Sequence, residues 1–294
     1  MVAAPLFFST NLVFGRSVVG EVSPFMLAFL RWFLVAVALS PFMIAERAAM
    51  RQVLRGNAGL VLLLGFLGMW VCGGLVYFGL EWTTATNGTL IYTTSPVMIL
   101  LMEAAFRGRR IGLREGVGAA VAFLGVATIV LRGDPAAVLT LDFNVGDLII
   151  LGGAVSWSVY SILYRAPGLQ ALPTAALLGL IAAAGAAMLL PVAAAELAMG
   201  APFPASANAW RGIGGIVLFA SLLAFSTYQF GVRHLGASLT GIFMYMMPPW
   251  GVMLAVLFLG ERLQPFHAAG IALVMGGVIL ATFPVAWLRG RLGF

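Results

Sequence analysis

The segment LPTAALLGLIAAAGAAMLLPVAAAELA, residues 172–198, contains a single charged side chain, that of Glu196. A helix needs roughly 20 consecutive apolar residues to cross a hydrocarbon core of about 30 Å, so this segment is long enough to span a bilayer. The whole chain has the same character, because 62% of its residues are hydrophobic and 9% are charged, whereas soluble domains carry about 25% charged residues. The sequence therefore predicts an integral membrane protein.

Nine further apolar runs lie on either side of this segment. The ten runs together cover residues 2–19, 24–45, 58–80, 84–105, 112–131, 146–164, 172–198, 210–232, 238–258 and 266–288. They do not alternate between polar and apolar residues as membrane strands do, so we expect an all-α integral membrane protein with ten transmembrane helices. The first run has neither the basic region nor the cleavage site of a signal peptide and is therefore counted as a span.

The basic residues indicate membrane topology rather than nucleic-acid binding. All 16 are arginines, and they lie singly or in short clusters between the apolar runs. With ten spans both termini lie on one side, and the loops on that side hold eleven arginines against four on the other. Because positive charge marks the cytoplasmic face, we expect both termini in the cytoplasm, the 132–147 loop outside, and the protein in the cell (inner) membrane.

The two halves of the chain resemble each other. A shift of 152 residues aligns them, and prolines and glycines then fall at identical positions: Pro96 aligns with Pro248, Gly108 with Gly260, Gly118 with Gly270 and Gly125 with Gly277. Each half has five spans, an odd number, so the second half enters the membrane from the opposite side. We therefore predict two inverted five-helix repeats at 1–133 and 146–294, joined by an external linker at 134–145. This layout is typical of secondary transporters, whose substrate site lies between the repeats.

The second half also carries a family signature, formed by Pro248-Pro249, Leu254-Ala255, Leu259-Gly260-Glu261, Gly270 and Gly276-Gly277. This pattern resembles that of the EamA-type transporters of the drug/metabolite transporter superfamily, and the ten-span layout extends the resemblance to the whole chain. Within the superfamily the chain is most similar to bacterial exporters of aromatic and other neutral amino acids, some of which also move methyl viologen. The resemblance implies a carrier that exports small metabolites by alternating access.

Prolines interrupt the fourth and ninth runs near their centres. A proline has no N–H, so Pro96, Pro248 and Pro249 leave the carbonyls four residues earlier without a hydrogen-bond donor. In lipid, these carbonyls must be satisfied by protein, water or substrate. One interpretation is a kink that helix packing requires. The other, compatible with it, is a bent helix that lines a central cavity.

Aromatic and polar residues deep in the runs are the candidate substrate-binding groups. These are Asn11, Tyr77, Tyr92, Trp157, Tyr160, Tyr228, Met244 and Tyr245. An amide such as that of Asn11 is costly in hydrocarbon unless it faces a cavity or a partner, although ordinary packing remains the alternative for each residue. A cavity of this composition carries no fixed charge, which suits neutral, zwitterionic or flat hydrophobic substrates. Its aromatic faces could also hold an organic cation.

A carrier of purines or nucleosides, nucleotide-sugars or lipids in the same superfamily is the alternative function. Anionic substrates would require a basic residue in the cavity, and the one candidate is Arg31. It lies about two turns inside the second run, and we expect its side chain to snorkel to the outer surface.

An intramembrane enzyme would require a nucleophilic, acid–base or metal-binding constellation at depth, and no such motif is present in the sequence. The two histidines lie near helix ends on opposite faces, and the single cysteine, Cys72, has no partner for a disulfide. We therefore predict no catalytic residues, no metal and no cofactor. The expected partners are a small-molecule substrate and the lipid bilayer, and the sequence leaves monomer and homodimer open.

The sequence shows no Asp, Glu or His at the predicted midplane to hold a coupling proton. Glu103 lies near the cytoplasmic end of the fourth run, where we expect an interfacial ion pair with Arg107. Net transport is therefore predicted to follow the substrate's own gradient, with exchange also allowed. Sodium held by backbone carbonyls near the prolines is the alternative.

Overall fold

The computed structural model describes residues 1–283 except Ser17, Val19 and Glu261. This part of the chain forms ten main helices: α1 Ala3–Arg16, α2 Pro24–Ala45, α3 Arg47–Gly79, α4 Thr86–Arg107, α5 Leu113–Val130, α6 Val145–Leu163, α7 Thr174–Ala198, α8 Ala207–Leu235, α9 Ala237–Phe258 and α10 Pro265–Thr282. Helices α2 to α10 are long and apolar enough to span a membrane, and α1 is a shorter apolar helix. The predicted all-α membrane fold is confirmed.

Some predicted features fall outside the described residues. They are the end of the tenth run, Arg289 and Arg291, which are two of the eleven arginines counted on the cytoplasmic side, and Glu261 of the family signature. The predicted linker at 134–145 contains a short 3₁₀ helix, Pro135–Thr140, and α6 begins at Val145.

The third helix is longer than its apolar run predicts. The sequence placed a loop before residue 58, whereas α3 already begins at Arg47 and bends at Asn57, whose φ is −138°. Arg51 and Arg55 lie on this added segment and are exposed. Hydropathy misses the segment because it is amphipathic, so a window that scores only apolar content assigns it to a loop.

The fourth and ninth helices are interrupted just before their prolines. In α4, a first segment that ends at Tyr92 is separated by two residues from a second that begins at Ser95. In α9, a 3₁₀ turn at Met244–Met246 separates Ala237–Phe243 from a segment that begins at Met247. Proline is tolerated in the first turn of a helix but not in its interior. Each break therefore allows a new helix to start with the proline in its first turn.

Serine hydroxyls bind the backbone at both breaks. The Ser9 hydroxyl of α1 is shared between the carbonyl of Met247, which precedes Pro248, at 2.8 Å and that of Pro5 on its own helix at 2.7 Å. The Ser158 hydroxyl of α6 is shared between the carbonyl of Ser95, which precedes Pro96, at 3.2 Å and that of Ala154 on its own helix at 2.8 Å. Each interrupted helix is thus contacted by the first helix of the other half.

Two other features recur at matching places in the halves. Helices α3 and α8 contain π-helical segments, Phe66–Leu75 and Ile216–Leu223. Helices α4 and α9 end at Gly108 and Gly260, with φ of 63° and 70°. Glycine adopts this left-handed conformation without strain, which explains why the same residue recurs at both helix ends.

The pairing of α5 with α10 gives the relative direction of the halves. A Cβ added to Gly118 would lie 2.6 Å from the Gly277 carbonyl oxygen, and one added to Gly125 would lie 2.7 Å from that of Gly270. Ascending positions on α5 therefore meet descending positions on α10, so the helices are antiparallel. The shift of 152 residues pairs Gly118 with Gly270 and Gly125 with Gly277, so exchanging the halves turns the first of these contacts into the second. A two-fold relation between inverted repeats requires this.

Two apolar clusters form the interior. The larger one contains buried side chains of α1, α2, α3, α6, α7 and α8, with a few from α4 and α9. The smaller one lies where α5 and α10 pack against α4 and α9, and it includes Leu100, Val126, Tyr245 and Val274. The larger cluster contains most of the candidate binding residues.

Candidate functional site

Four aromatic rings meet where α1, α6 and α8 pack together, and we call them the aromatic cluster: Phe8, Trp157, Phe225 and Tyr228. The centroid of the Trp157 ring lies 4.8 Å from that of Tyr228, 5.5 Å from that of Phe225 and 5.8 Å from that of Phe8. Trp32 of α2 meets Phe225 edge-on at 4.8 Å. Packed rings of this kind form rigid apolar surfaces, which suit a flat or apolar substrate group.

A buried polar layer adjoins the aromatic cluster. The Ser161 and Tyr228 hydroxyls are 2.7 Å apart, and the Gln229 amide donates to the Tyr160 hydroxyl over 2.5 Å. The amide oxygen of Gln229 has no hydrogen-bond partner among the described residues. Buried polar atoms are normally hydrogen-bonded, so this oxygen is an acceptor that a substrate could use.

The structure contradicts the expected snorkelling of Arg31. Its side chain is turned inward, and the residue is 7% exposed. The guanidinium donates from Nε to the Ser221 hydroxyl over 2.6 Å, from one terminal nitrogen to the Ala220 carbonyl over 2.8 Å, and from the other to the Tyr77 hydroxyl over 3.0 Å. The acceptors on α8 lie in its π-helical segment, and such segments are frequent at functional sites. Arg31 is buried because neighbouring helices supply these acceptors.

Asn11 and Tyr77 lie beside Arg31, on the side nearer the predicted outer surface. The Asn11 amide nitrogen and oxygen are 3.3 and 3.4 Å from the Tyr77 hydroxyl, and both residues are half-buried. These hydrogen bonds are long, so the amide is only weakly held. The two residues thus connect the buried guanidinium to half-buried positions of the bundle.

The remaining predicted binding residues are placed differently. Tyr160 stacks beside Trp157, with 5.4 Å between centroids, and Met244 packs in the larger apolar cluster. Tyr92 is half-buried on α4, where its ring lies against Gly153 of α6. Tyr245 belongs to the smaller cluster, where its nearest described ring is Phe123 at 6.4 Å. The structure therefore groups the other aromatic candidates but leaves Tyr245 apart from the aromatic cluster.

Sequence reasoning left several of these residues out of the predicted site. Phe225 and Ser221 share one face of α8 with Tyr228, and this spacing is visible in the sequence. Gln229 is an amide deep in an apolar run, the same signal that identified Asn11. The role of Arg31 has no signal in α2 alone, because its acceptors belong to α3 and α8.

A charged network closes the predicted cytoplasmic end of the bundle. The side chain of Met1 packs against Gly231 at the same end. Glu103 is 3% exposed and accepts hydrogen bonds from the backbone and hydroxyl of Ser238. Its carboxylate oxygens lie 3.9 Å from Arg109 and 4.0 Å from Arg165. The network borders a pocket of about 200 Å³.

The predicted pairing of Glu103 with Arg107 is therefore wrong. Arg107 donates instead to the carbonyl of Ile162 over 2.8 Å. Glu103 faces into the bundle, toward Ser238 of α9 and Arg165 just after α6. Its contacts thus connect the two halves of the chain.

Burial differs between the two ends of the site. Tyr160, Tyr164, Tyr228 and Gln229, toward the predicted cytoplasmic end, are buried completely or almost so, whereas Asn11 and Tyr77 are half-buried. Packing between α6 and α8 thus closes the cytoplasmic side of the aromatic cluster. Among the described residues no group of three or more His, Cys, Asp or Glu side chains is placed to hold a metal ion.

Comparison with known proteins gives the family. The chain matches the EamA-like transporter family over residues 1–131 and 144–283, one segment in each predicted half. A solved crystal structure aligns with 99% of this chain and 96% of its own, with a TM-score of 0.77 and 25% sequence identity.

Curated relatives of the chain are named as transporters. The uncharacterized transporter YyaM of Bacillus subtilis is 25% identical over 94% of this chain and 90% of its own. The uncharacterized inner membrane transporter YedA of Escherichia coli K12 is 24% identical over 88% and 81%. The probable terminal-alkyne amino-acid exporter of Streptantibioticus cattleyicolor is 27% identical over 75% and 72%. From the match over both halves and the shared helical fold, the chain belongs to the EamA-like transporter family and is a multi-pass membrane transporter.

Proposed function

We propose that this transporter exports small metabolites, foremost aromatic and other neutral amino acids, by alternating access. The observation that carries the proposal is the aromatic cluster with its adjoining polar layer, buried between helices of both halves. Rings suit an apolar side chain, and hydroxyl and amide groups suit the polar end of a zwitterion. The relative from Streptantibioticus cattleyicolor, named as a probable amino-acid exporter, agrees with this substrate class.

A flat organic cation is less well suited to the site. Aromatic faces attract cations, but the guanidinium of Arg31 already lies 4.9 Å from the Trp32 centroid and 6.0 Å from the Phe225 centroid. A second positive charge there would be repelled in a medium that screens poorly. Zwitterionic and neutral substrates avoid this repulsion.

Alternating access requires the halves to move against each other around the site. Helices α4 and α9 are suited to this movement, because each is broken near its centre and is contacted there by a serine hydroxyl of the other half. In the described residues the buried carboxylates Glu103, Glu115 and Asp147 lie at helix ends. We therefore propose that transport follows the substrate gradient without proton coupling.

The test is counterflow in proteoliposomes that contain the purified protein and no ion gradient. Labelled phenylalanine and leucine are compared with adenosine, a nucleotide-sugar and methyl viologen. We expect exchange of the two amino acids and little exchange of the others. The proposal fails if one of the other compounds is exchanged and the amino acids are not, and its uncoupled form fails if an imposed pH gradient drives accumulation that a protonophore abolishes.

A further inference from the structure

Arg31 is a buried cation without a buried anion to balance it. In the part of the chain that the structure describes, no carboxylate forms an ion pair with its guanidinium. The hydroxyls of Ser221 and Tyr77 and the carbonyl of Ala220 that it contacts are neutral. An unpaired charge is costly to bury, and an ionisable residue inside a membrane usually has a function. A counter-charge supplied by the substrate would compensate this cost.

The guanidinium has donors left for such a counter-charge. It carries five N–H groups, of which the three contacts use one on each nitrogen. One N–H therefore remains on each terminal nitrogen. A carboxylate accepts from two such groups at once through its two oxygens, and the existing contacts fix the guanidinium plane before the ligand arrives.

The surroundings of Arg31 indicate what the rest of the ligand meets. Its guanidinium carbon lies 6.0 Å from the centroid of Phe225, a member of the aromatic cluster. Tyr77, which accepts from the guanidinium, and the weakly held amide of Asn11 are half-buried. A ligand could therefore place a carboxylate on Arg31 and an apolar group against the rings.

We propose that Arg31 is the anion subsite of this transporter and binds the carboxylate of its substrate, which makes the substrate class the monocarboxylates, amino acids included. This inference rests on the proposed function, which it deepens. A single guanidinium with two free N–H groups matches one negative charge, whereas a phosphorylated substrate would bring more charge than the site neutralises. Selectivity for the carboxylate is then a property of Arg31, and selectivity for the side chain is a property of the aromatic cluster.

The transport test compares phenylalanine with phenylalaninamide, which differ at the carboxylate. Wild-type protein is expected to prefer phenylalanine by about tenfold or more, the contribution of charge-assisted hydrogen bonds. Arg31→Met should bring the ratio of phenylalanine to phenylalaninamide exchange near one, while exchange of the amide persists. Arg31→Lys should retain part of the preference, because lysine keeps the positive charge but lacks the paired N–H donors of the guanidinium. Arg51→Met, which removes an exposed arginine, is the matched control and should keep the wild-type ratio.

A binding test separates this inference from the proposed function. Thermal stabilisation of the detergent-purified protein is measured with 3-phenylpropanoate and with 3-phenylpropanamide, neither of which is an amino acid. We expect the carboxylate to stabilise the wild type and Arg51→Met but not Arg31→Met, and the amide to act equally on all three. If amino acids are not exchanged but this difference is present, the proposed function alone fails. Equal stabilisation by carboxylate and amide, stabilisation by inorganic phosphate in place of the carboxylate, or an unchanged ratio in Arg31→Met overturns the inference.

Discussion

At the scale of single residues, Trp157 contacts four rings, those of Phe8, Tyr160, Phe225 and Tyr228. Trp157→Ala removes the surface at the centre of the cluster, and we expect phenylalanine counterflow to fall about tenfold, which corresponds to about 1.4 kcal/mol. The initial rate is measured at equal amounts of reconstituted protein. Trp82→Ala is the control, because Trp82 is 62% exposed at a helix end and should not matter. Wild-type counterflow in Trp157→Ala would exclude Trp157 from the site.

Two buried tyrosines differ in what their hydroxyls do. The Tyr228 hydroxyl lies 2.7 Å from that of Ser161, whereas the Tyr245 hydroxyl has no hydrogen-bond partner among the described residues. A buried hydrogen bond contributes about 1 kcal/mol net. Tyr228→Phe should therefore lower the melting temperature of the purified protein in detergent, and Tyr245→Phe should leave it unchanged or raise it. The same loss in both variants would contradict the assigned contacts.

The individual residues show how far sequence reasoning reaches. Asn11 and Tyr77 were predicted as binding residues, and they contact each other because polar side chains deep in apolar runs need partners. Arg31 was misplaced because its distance from the predicted helix end allowed snorkelling, and the competing acceptors on α3 and α8 are not visible in α2. Tyr245 has the same sequence signal as Tyr228, and only the packing of α9 against α5 and α10 separates them.

At the scale of helices, α5 and α10 pack through glycines. A Cβ added to Gly277 would lie 2.4 Å from the backbone nitrogen of Ala122, whereas one added to Gly276 would meet nothing within 4 Å. Gly277→Ala must push the two backbones apart, and we expect a loss of about 1–3 kcal/mol in the stability of the protein. Gly276→Ala should be neutral or slightly stabilising, because alanine favours helix. Thermal unfolding of both variants in detergent is the measurement, and equal melting temperatures would refute the close contact.

Helix positions followed from hydropathy, and the interruptions of α4 and α9 lie where the prolines indicated a kink. The π-helical segments of α3 and α8 were not foreseen, because they depend on how the helices pack and not on a residue type. The first part of α3 was assigned to a loop because arginines lower its hydropathy. Apolar content thus locates a span well and its polar extension poorly.

At the scale of the whole molecule, the orientation in the membrane is still a prediction from the arginine count. Arg51 and Asp142 are exposed on segments that the prediction places on opposite sides. Arg51→Cys and Asp142→Cys are made separately in a Cys72→Ala background and treated with a membrane-impermeant maleimide on intact cells. We expect labelling at 142 and not at 51. The reverse pattern would invert the topology, and permeabilised cells, in which both sites should react, serve as the control.

Odd numbers of spans in two similar halves predicted the inversion of the repeats, and the antiparallel pairing of α5 with α10 agrees with it. Which end of the bundle is closed could not be predicted in this way. An inverted repeat has two equivalent ends, and closure depends on contacts that break this equivalence. Here those contacts involve Glu103, for which the second half has no acidic counterpart, because the shift of 152 residues places Ala255 at its position.

Opening of the predicted cytoplasmic end must break the contacts of Glu103 with Ser238 and Arg165, which belong to the second half. Glu103→Gln keeps the shape of the side chain but removes its charge, so these contacts weaken while the rest of the bundle is unchanged. We expect the open-inward population to rise, because an equilibrium shifts toward the state that loses less stabilisation. Thr240 of α9 is fully buried two residues after Ser238, and it reports the change as Thr240→Cys in the Cys72→Ala background.

The rate of maleimide labelling at position 240 is measured in inside-out membrane vesicles, with and without Glu103→Gln. Faster labelling in the Glu103→Gln protein is the expected result. Glu196→Gln is the matched control, because Glu196 binds Ser23 and the backbone of Met26 at the opposite end of the bundle and should not increase labelling. If Glu103→Gln leaves the rate unchanged, or if Glu196→Gln raises it equally, the Glu103 network does not hold the cytoplasmic end closed.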